Sequence, residues 1–520
     1  MNTINRFINS GRLFPGNIAL EVNDQKYSYL QLNDLGKKLG TSILQSTRKE
    51  FIGILAYRSL SVYAGILGAL TAGKCYIPFN PKFPMNRILK IIEMTGCDTF
   101  IVDKNFAELI HSVSAATERK LTFIFIEDFE FNKGNGKKNH FISRSMIDSS
   151  VAASPLELDP AAYAYLLFTS GSTGEPKGIP ISHQNLGAYI DFVQNKYPLV
   201  SQDRCSQAFD TTFDPSVHDI WVTWNAGATL VVVPELHLLN PVKFIQNKNL
   251  TVWYSVPSIG LFIKRLRMLK PGIFTQLRYS IFSGEALPAD FAEAWQQSAP
   301  NSVLINYYGP TEITINITDY AWNSYNSMKI IENNIVPIGS VFPTHKYLII
   351  DELLNPVVNG SIGELIISGI QVCAGYFKNP EKTKENFITF KGKEDVWYRT
   401  GDLVKELSDS CLLFSGRKDA QVKIRGYRVE LVEIEGRVKN LLPENEIRVL
   451  AHPVKDNIAE GIICFISGDK TKEDSEILKA LSESLPSYMV PNKLIYVKEF
   501  PLNVNGKINN QELIKSHYHG

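Results

Sequence analysis

The sequence predicts an α/β fold with a large amino-terminal domain of parallel βαβ sheets, a small barrel-like sheet and a small α+β carboxyl-terminal domain. Three observations lead to this prediction. The chain has 520 residues, and a single hydrophobic core rarely grows beyond about 250 to 300 residues, so several domains are expected. Short apolar runs alternate with helix-length amphipathic stretches over most of the chain, which is typical of βαβ units. This pattern changes towards the carboxyl end.

The parallel part is predicted from apolar runs of strand length. The first run, FIGILAY (51–57), precedes the helix-length stretch SLSVYAGILGALTAG (59–73). Later runs of the same kind are TFIVD (99–103), AYAYLLF (162–168), ATLVVVP (228–234) and YSIFSG (279–284). Runs of this length with few charges favour strands that are buried on both faces, as in parallel sheets.

The carboxyl-terminal part has a different pattern of apolar and glycine residues. Short strands punctuated by glycine, GELIISG (363–369) and LLFSGR (412–417), favour an antiparallel sheet or barrel. About a hundred residues of mixed α+β character follow. We therefore predict a large domain over residues 1–417 and a small domain over residues 418–520.

Composition and charge limit the classes of function. Hydrophobic residues make up 44% and charged residues 21% of the chain, and 54 basic against 53 acidic residues leave a net charge of +1. No overall field would attract nucleic acid or an anionic membrane. The six cysteines have no CxxC spacing, so free thiols are expected rather than a zinc site. No secretory signal or membrane-spanning run is apparent, and a cytoplasmic location is expected.

The stretch TSGSTGEPKG (169–178) follows a predicted buried strand and predicts a loop that holds a polyanion. Its glycines let backbone N–H groups converge, its hydroxyls add donors and its lysine adds charge. The Walker pattern does not apply, because the lysine is followed by Gly178 rather than by Ser or Thr. The candidate phosphate-binding residues are Thr169, Ser170, Gly171, Ser172, Thr173, Gly174 and Lys177.

This loop resembles the phosphate-binding motif of the adenylate-forming superfamily, which includes acyl-CoA synthetases, luciferases and amino-acid adenylation domains of nonribosomal peptide synthesis. Later motifs of the family are matched in order by NYYGPTE (306–312), YRTGDL (398–403), GRKDAQVKIRGYRVELVEIE (416–435) and NVNGK (503–507). The similarity covers essentially the whole chain. It is greatest to stand-alone amino-acid adenylation domains and D-alanyl carrier protein ligases.

The resemblance implies ATP and Mg²⁺ as cofactors and attack of a carboxylate on the α-phosphorus of ATP, for which charge neutralisation is essential. It assigns the catalytic role to Lys507 and the Mg²⁺ contact to Glu312. Tyr308 would stack on adenine and Asp402 would accept both ribose hydroxyls. The remaining contacts to ATP would come from Gly309, Thr311 and Arg417.

The resemblance also implies that the small domain is mobile. Asp419 occupies the position of the family's hinge. After adenylation the small domain would rotate there, withdraw Lys507 and present a second face for thioester formation.

The resemblance extends to the acid that is activated. In FDPSVHDIW (213–221), Asp214 matches the carboxylate that pairs with a substrate α-ammonium group. The other pocket residues would be Pro215, His218, Tyr254, Ile281, Ser283, Tyr307, Ile315 and Asn316. Two tyrosines suggest a shallow pocket, and His218, Ser283 and Asn316 favour a small or medium polar amino acid. D-Alanine and other small amino acids remain alternatives.

Two features depart from the family pattern. Asn509 and Asn510 stand where Asp-Arg is common, which would weaken the positioning of Lys507. Only IKSHYHG follows the terminal domain, so the expected acceptor is the phosphopantetheine thiol of a separate carrier protein.

Three other functions remain to be separated from this one. An acyl- or aryl-CoA ligase and a luciferase-like oxidase would need no counterpart of Asp214. A nucleotide-binding protein without catalysis would be expected to lack Lys507, Glu312 or Asp402, and all three are present.

Overall fold

The computed structural model describes residues 2–128, 139–169, 175–392, 394–407, 410–419, 421–455, 458–501 and 508–518. The helices are α1 (Thr3–Leu13), α2 (Tyr29–Ser46), α3 (Leu60–Thr71), α4 (Met85–Thr95), α5 (Ala107–Ala115), α6 (Arg144–Asp148), α7 (His183–Lys196), α8 (Pro215–Asn225), α9 (Pro241–Asn247), α10 (Pro257–Arg265), α11 (Ala289–Ser298), α12 (Ser324–Ser327), α13 (Pro380–Asn386), α14 (Leu431–Leu441), α15 (Asp474–Ser482) and α16 (Asn510–His517).

The strands are β1 (Ile18–Val22), β2 (Gln25–Ser28), β3 (Phe51–Leu55), β4 (Cys75–Phe79), β5 (Thr99–Val102), β6 (Thr122–Phe125), β7 (His140–Ile142), β8 (Tyr163–Thr169), β9 (Lys177–Ser182), β10 (Arg204–Gln207), β11 (Thr229–Val232), β12 (Val252–Ser255), β13 (Tyr279–Phe282), β14 (Val303–Tyr308), β15 (Thr318–Ala321), β16 (Ser340–Val341), β17 (Lys346–Ile350), β18 (Ile362–Ser368), β19 (Phe387–Thr389), β20 (Val396–Glu406), β21 (Leu412–Arg417), β22 (Gln421–Ile424), β23 (Tyr427–Glu430), β24 (Ile447–Ala451), β25 (Val454–Lys455), β26 (Ile458–Ala459), β27 (Ile462–Ser467) and β28 (Lys493–Val497).

The chain divides into two compact units. The first unit comprises residues 1–81, 92–168 and 178–416, and the second comprises residues 82–91, 169–177 and 417–520.

Three sheets form the first unit. One has the order β16-β15-β14-β13-β12-β10-β11-β1-β2, and a second has the order β7-β6-β5-β3-β4-β8-β9. Neighbouring strands from β14 to β1 in the first sheet are parallel, with antiparallel strands at both edges. The third sheet, β17-β18-β20-β19 with β21 beside β20, is antiparallel from β17 to β19.

These sheets confirm the predicted α/β class and the change to an antiparallel sheet towards residue 417. The runs FIGILAY, ATLVVVP and YSIFSG form β3, β11 and β13, and each of these strands is fully buried. The stretch after FIGILAY forms α3, whose residues are all buried. Burial on every side explains why these segments carry almost no charge.

The second unit has two small sheets of its own, with the orders β23-β22-β26-β25 and β24-β27-β28. Helices α14 and α15 contribute to the main core of this unit through Ile434, Val438, Ile477 and Leu481. This arrangement confirms the predicted α+β character of the carboxyl-terminal segment.

Two further observations concern composition. All six cysteines are free thiols and five of them are buried, as the spacing predicts. Among the described helices, none combines the length and the apolar character needed to cross a membrane.

Candidate functional site

Candidate site residues lie at the carboxyl ends of the parallel strands β12, β13 and β14. Tyr254 is the third residue of β12, Ser283 directly follows β13, and Tyr307 and Tyr308 end β14. In open α/β sheets, ligands bind outside this edge, because the loops that leave neighbouring strands converge there. The order of these strands therefore explains why Tyr254 and Tyr308, far apart in sequence, lie at the same edge of the sheet.

Tyr308 and Asp402 are in direct contact. The hydroxyl of Tyr308 donates a hydrogen bond to Oδ2 of Asp402, and both side chains are buried. The backbone N–H of Asp402 donates to Oγ1 of Thr400 at 3.0 Å, and this hydroxyl donates to the carbonyl of Leu365 at 2.7 Å. The two residues assigned to adenine and ribose are thus held together by partners on neighbouring strands.

Glu312 is completely buried in a short 3₁₀ turn, Thr311–Ile313, directly after β14. Its Oε1 accepts a hydrogen bond from the hydroxyl of Tyr376 at 2.9 Å. Its backbone carbonyl accepts from the N–H of Cys373 at 2.9 Å. The position of this carboxylate is therefore fixed by the segment that follows β18.

The turn after Glu312 is unusual in its backbone. Thr314 has φ +54° and Ile315 has φ +73°, a conformation that is strained for β-branched residues. Gln371 is fully buried, and its Nε2 lies 2.9 to 3.3 Å from the carbonyls of Ile313, Thr314 and Asn316. The Thr314 hydroxyl donates back to the Gln371 carbonyl at 2.6 Å. This clasp holds the strained turn in place.

Gly309 has a steric role in the same region. A Cβ at this position would lie 2.5 Å from Cα of Asn316 and 2.5 Å from the carbonyl oxygen of Ile315. Only glycine permits this close approach of the two backbones.

Four of the polar residues predicted to line the substrate pocket form one hydrogen-bonded cluster with Tyr189. Nδ2 of Asn316 donates to the hydroxyls of Tyr189 and Tyr254 at 2.9 and 3.2 Å. The Tyr189 hydroxyl lies 2.7 Å from Nδ1 of His218, and the Tyr254 hydroxyl lies 2.6 Å from Oγ of Ser283. We call these five side chains the polar relay. Each of them is at most 4% exposed.

His218 is neutral in this cluster. Burial lowers the pKa of its imidazole to about 3. Its ring also contacts the ring of Tyr254, with centroids 4.8 Å apart and planes at 76°. Both observations describe a histidine that belongs to the wall and does not carry charge at neutral pH.

Asp214 is buried, 8% exposed, at the residue that precedes α8, and Pro215 opens that helix. Its charge reaches the polar relay: burial first, and the Asp214 carboxylate in addition, raise the pKa of Tyr189 and Tyr254. The structure therefore brings Asp214 together with the other predicted pocket residues. Ile281, Tyr307 and Ile315 are buried in the same hydrophobic core.

The second unit holds other predicted residues. The guanidinium of Arg417 donates from Nε and Nη2 to the two oxygens of Asp419, at 2.7 and 2.8 Å. The predicted nucleotide ligand and the predicted hinge residue are thus bonded to each other. Lys177 begins β9, and Thr169 ends β8. Ser170, Gly171, Ser172, Thr173, Gly174 and Lys507 lie outside the described residues.

The side chains present fit a magnesium nucleotide. Among the described residues, no group of three or more His, Cys, Asp or Glu side chains could by itself hold a metal ion. Mg²⁺ in nucleotide sites is commonly held by one or two carboxylates together with phosphate oxygens and water, so Glu312 alone is a sufficient protein ligand. Oγ1 of Thr169 is buried without a hydrogen-bond partner in the described part of the chain, as expected for a donor that awaits a ligand.

A model of the family described as AMP-binding enzyme matches residues 7–377. The chain belongs to this family. AMP-binding enzymes of this kind form adenylates from ATP and a carboxylate, which is the chemistry that the sequence motifs predict.

This AMP-binding enzyme is similar to nonribosomal peptide synthetases. It is 31% identical over 526 residues to the dimodular nonribosomal peptide synthase of Bacillus subtilis (strain 168), covering 98% of this chain and 21% of that protein. It is 29% identical over 509 residues to zwittermicin A synthase ZmaJ of Bacillus cereus, covering 96% of this chain and 92% of that protein. The chain thus spans about a fifth of the first relative and most of the second.

A solved structure extends the similarity to the whole fold. The Vibrio cholerae adenylation domain AlmE, in complex with glycyl-adenosine-5'-phosphate, superposes on this AMP-binding enzyme with a TM-score of 0.90. The two are 31% identical, and the match covers 99% of this chain and 97% of AlmE.

Sequence reasoning missed three residues of the AMP-binding enzyme that the structure places around the site. They are Tyr189, which joins His218 to Asn316, Tyr376, which bonds Glu312, and Gln371, which clasps the turn at Thr314. None lies in a motif, and their hydrogen bonds to the site join residues that are 29 to 127 positions apart. Only Gln371 carries a signal, because a glutamine inside an otherwise apolar stretch needs a buried partner.

Proposed function

We propose that this chain activates an amino acid with ATP as its aminoacyl adenylate and then transfers the aminoacyl group to the phosphopantetheine thiol of a separate carrier protein. In this proposal residues 1–417 bind ATP and the amino acid. Residues 418–520 form the mobile lid, with Asp419 as its hinge.

The buried carboxylate of Asp214 carries the amino-acid part of the proposal. It is buried, 8% exposed, and its charge acts on the hydroxyls of Tyr189 and Tyr254 in the polar relay, so that a substrate ammonium group in this pocket would gain a charged partner. Family membership and the glycyl adenylate bound to AlmE support the same reaction class. Neither a fatty acid nor an aryl acid has a cation that would pair with Asp214.

Each predicted contact receives a role in this reaction. Lys507 bridges the carboxylate and the α-phosphate, and Glu312 holds Mg²⁺. The loop from Thr169 to Lys177 binds the phosphates, Tyr308 packs on adenine and Asp402 binds the ribose. ATP supplies the leaving pyrophosphate, while these side chains neutralise charge and orient the reacting groups.

The transfer step rests on the kinship with peptide synthetases. The Bacillus subtilis relative is named a nonribosomal peptide synthase, and a thioester on a carrier is the form in which such a synthase uses an activated amino acid. We propose that the carrier acts in trans.

The decisive experiment is pyrophosphate exchange into ATP, measured with each proteinogenic amino acid, with D-alanine and with fatty and aryl acids. We expect exchange with an amino acid and none with the other acids. Exchange with a fatty or aryl acid alone would favour an acyl- or aryl-CoA ligase and overturn the proposal. Loading of a holo carrier protein, followed by mass spectrometry, tests the second step.

Two variants test the assigned roles in the same assay. Asp214→Asn should abolish amino-acid-dependent exchange but leave ATP affinity nearly unchanged. Asp103→Asn serves as its matched control, because Asp103 is also buried, 1% exposed, and caps the 3₁₀ turn Lys104–Phe106 away from the pocket.

Lys507→Ala should lower exchange by roughly 10²- to 10³-fold, since one lost charge contact in a dry transition state costs about 3 to 4 kcal/mol. Equal loss of ATP binding in Asp214→Asn, or normal exchange in Lys507→Ala, would contradict the assignments.

A further inference from the structure

Tyr189, in the middle of α7, joins the two ends of the polar relay. Its hydroxyl accepts from Nδ2 of Asn316, which leaves its own proton for Nδ1 of His218. A neutral imidazole that accepts at Nδ1 carries its proton on Nε2. Tyr189 therefore holds the orientation of the His218 ring.

Asn316 is fixed by the same relay. Both hydrogens of its amide are used, one by Tyr189 and one by Tyr254. The Tyr254 hydroxyl is in turn bonded to Ser283. Removal of the Tyr189 hydroxyl would leave both His218 and Asn316 with a buried polar group that lacks its partner, which is costly.

The aromatic rings of the wall limit the size of the substrate. The centroids of His218, Tyr254 and Tyr307 lie 4.8, 6.0 and 6.5 Å apart. Rings in direct contact have centroids about 4.5 to 7 Å apart, so no further ring fits between these three. We therefore expect this packed wall to leave less room for a large substrate side chain.

The charges of the wall limit the substrate further. Burial lowers the pKa of His218 to about 3 and raises the pKa of Tyr307 and of Asp219, so that these groups favour their neutral forms. Arg58 is a basic group whose charge acts on Asp219. Its guanidinium is committed to the backbone carbonyls of Gln207, Ala208 and Val233. A charged substrate side chain would thus be buried without a partner.

We infer that the pocket accepts a small, uncharged amino acid and that Tyr189 is the positioning residue that holds its wall in shape. The inference rests on the proposed function, because it concerns the same amino-acid site. It narrows the substrate by size and charge, and it assigns a residue that no sequence motif contains.

The substrate class is tested by kcat/KM in pyrophosphate exchange for glycine, alanine, serine, phenylalanine, lysine and glutamate. We expect the best of the first three to exceed each of the last three by about 100-fold or more, because the larger and charged side chains meet filled space or lack a partner. If lysine, glutamate or phenylalanine is the best substrate, amino-acid adenylation stands and this inference is wrong. If no amino acid supports exchange, the proposed function fails as well.

The role of Tyr189 is tested by Tyr189→Phe, with Tyr29→Phe as the matched control. Tyr29 is equally buried, and its hydroxyl makes one hydrogen bond, to the carbonyl of Ala228, outside the polar relay. We expect Tyr189→Phe to raise the KM of the preferred amino acid about 10-fold, with kcat and the KM of ATP within roughly threefold of wild type. Tyr29→Phe should leave all three constants unchanged.

A purely structural role of Tyr189 would lower the fraction of folded enzyme, and therefore kcat, without a change in KM. That result would overturn the assignment. Thermal unfolding identifies any variant that fails to fold. In that case Ser283→Ala, which shortens the opposite end of the polar relay, is measured in the same way and must also raise the KM of the amino acid.

Discussion

Asp402 and Asp419 both belong to motifs of the same family, but their surroundings differ. Asp402 is 6% exposed and is fixed by Tyr308 and Thr400, which belong to β14 and to its own strand β20. The side chain of Asp419 is half exposed, and its guanidinium partner Arg417 is only two residues away. A carboxylate held across strands keeps its place when one torsion changes, whereas a pair within one turn is broken by a local rotation. The comparison associates Asp402 with fixed binding geometry and Asp419 with movement.

The largest expected effect comes from making the same isosteric change at both positions. Asp402→Asn should lower pyrophosphate exchange by about 10²- to 10³-fold, because a buried charged acceptor in a preorganised site is lost. Asp419→Asn should leave exchange within roughly threefold of wild type, because half-exposed ion pairs contribute little. Similar losses in the two variants would remove the distinction between them.

A smaller loss of activity is expected when Tyr308, the hydrogen-bond partner of Asp402, is changed and Asp402 is kept. Tyr308→Phe keeps the ring but removes its hydrogen bond to a charged group, worth about 1.5 to 3 kcal/mol. We expect the KM of ATP to rise about 10-fold or more. Tyr320→Phe is the control, because the hydroxyl of this half-buried tyrosine donates to Oγ of Ser327, outside the site. An unchanged KM in Tyr308→Phe would show that Asp402 holds its position without it.

The hinge assignment of Asp419 predicts an effect on one half-reaction only. Asp419→Pro restricts φ to about −65° and should favour one orientation of the small domain. We expect adenylation to persist and transfer to the carrier thiol to fall by about 10-fold, equivalent to about 1.4 kcal/mol. Single-turnover measurement of each step separates them. Wild-type rates in both steps would place the hinge elsewhere.

The smallest effect concerns the pH dependence of stability. Burial tends to raise the pKa of Asp419, but the hydrogen bonds and charge of Arg417 outweigh it and hold the pKa below its usual value of 3.8. A lowered pKa in the folded state stabilises the fold above the unfolded pKa, and this contribution is lost as the pH falls below about 4. The difference in melting temperature between wild type and Asp419→Asn should therefore be constant from pH 6 to 8 and vanish in acid. A difference that does not decline as the pH is lowered from 6 through the acid range would contradict this ion pair.

The sequence was sufficient for the class of the fold, since apolar runs such as those of β3 and β13 have one plausible environment. The family motifs also predicted the pocket residues from Asp214 to Asn316, and their role in substrate binding stays a prediction. The sequence did not reveal that Arg417 bonds Asp419, nor that Tyr308 bonds Asp402. Side-chain pairing depends on rotamers and on distances between strands, and neither is encoded in the spacing of residues.

Tyr189 and Gln371 are further examples of side-chain contacts that the sequence does not predict. Tyr189 lies on α7 within an ordinary amphipathic pattern, and its position in the sequence says nothing about Asn316, 127 residues later. The side-chain amide of Gln371 donates to three backbone carbonyls of the turn after Glu312. Residues that hold other site residues in place are recognised from their contacts in the structure. The sequence alone gives almost no sign of them.

The left-handed backbone at Ile315 has a consequence for anyone who would redesign the substrate range. Replacement of this isoleucine by asparagine or glycine, which tolerate positive φ, relieves local strain at the same time as it removes bulk from the pocket wall. Most pocket-enlarging substitutions trade robustness for a new specificity. At this position a substitution that enlarges the pocket is expected to cost little stability. Ile315 is therefore a favourable first site for a mutant library that is selected for larger substrates.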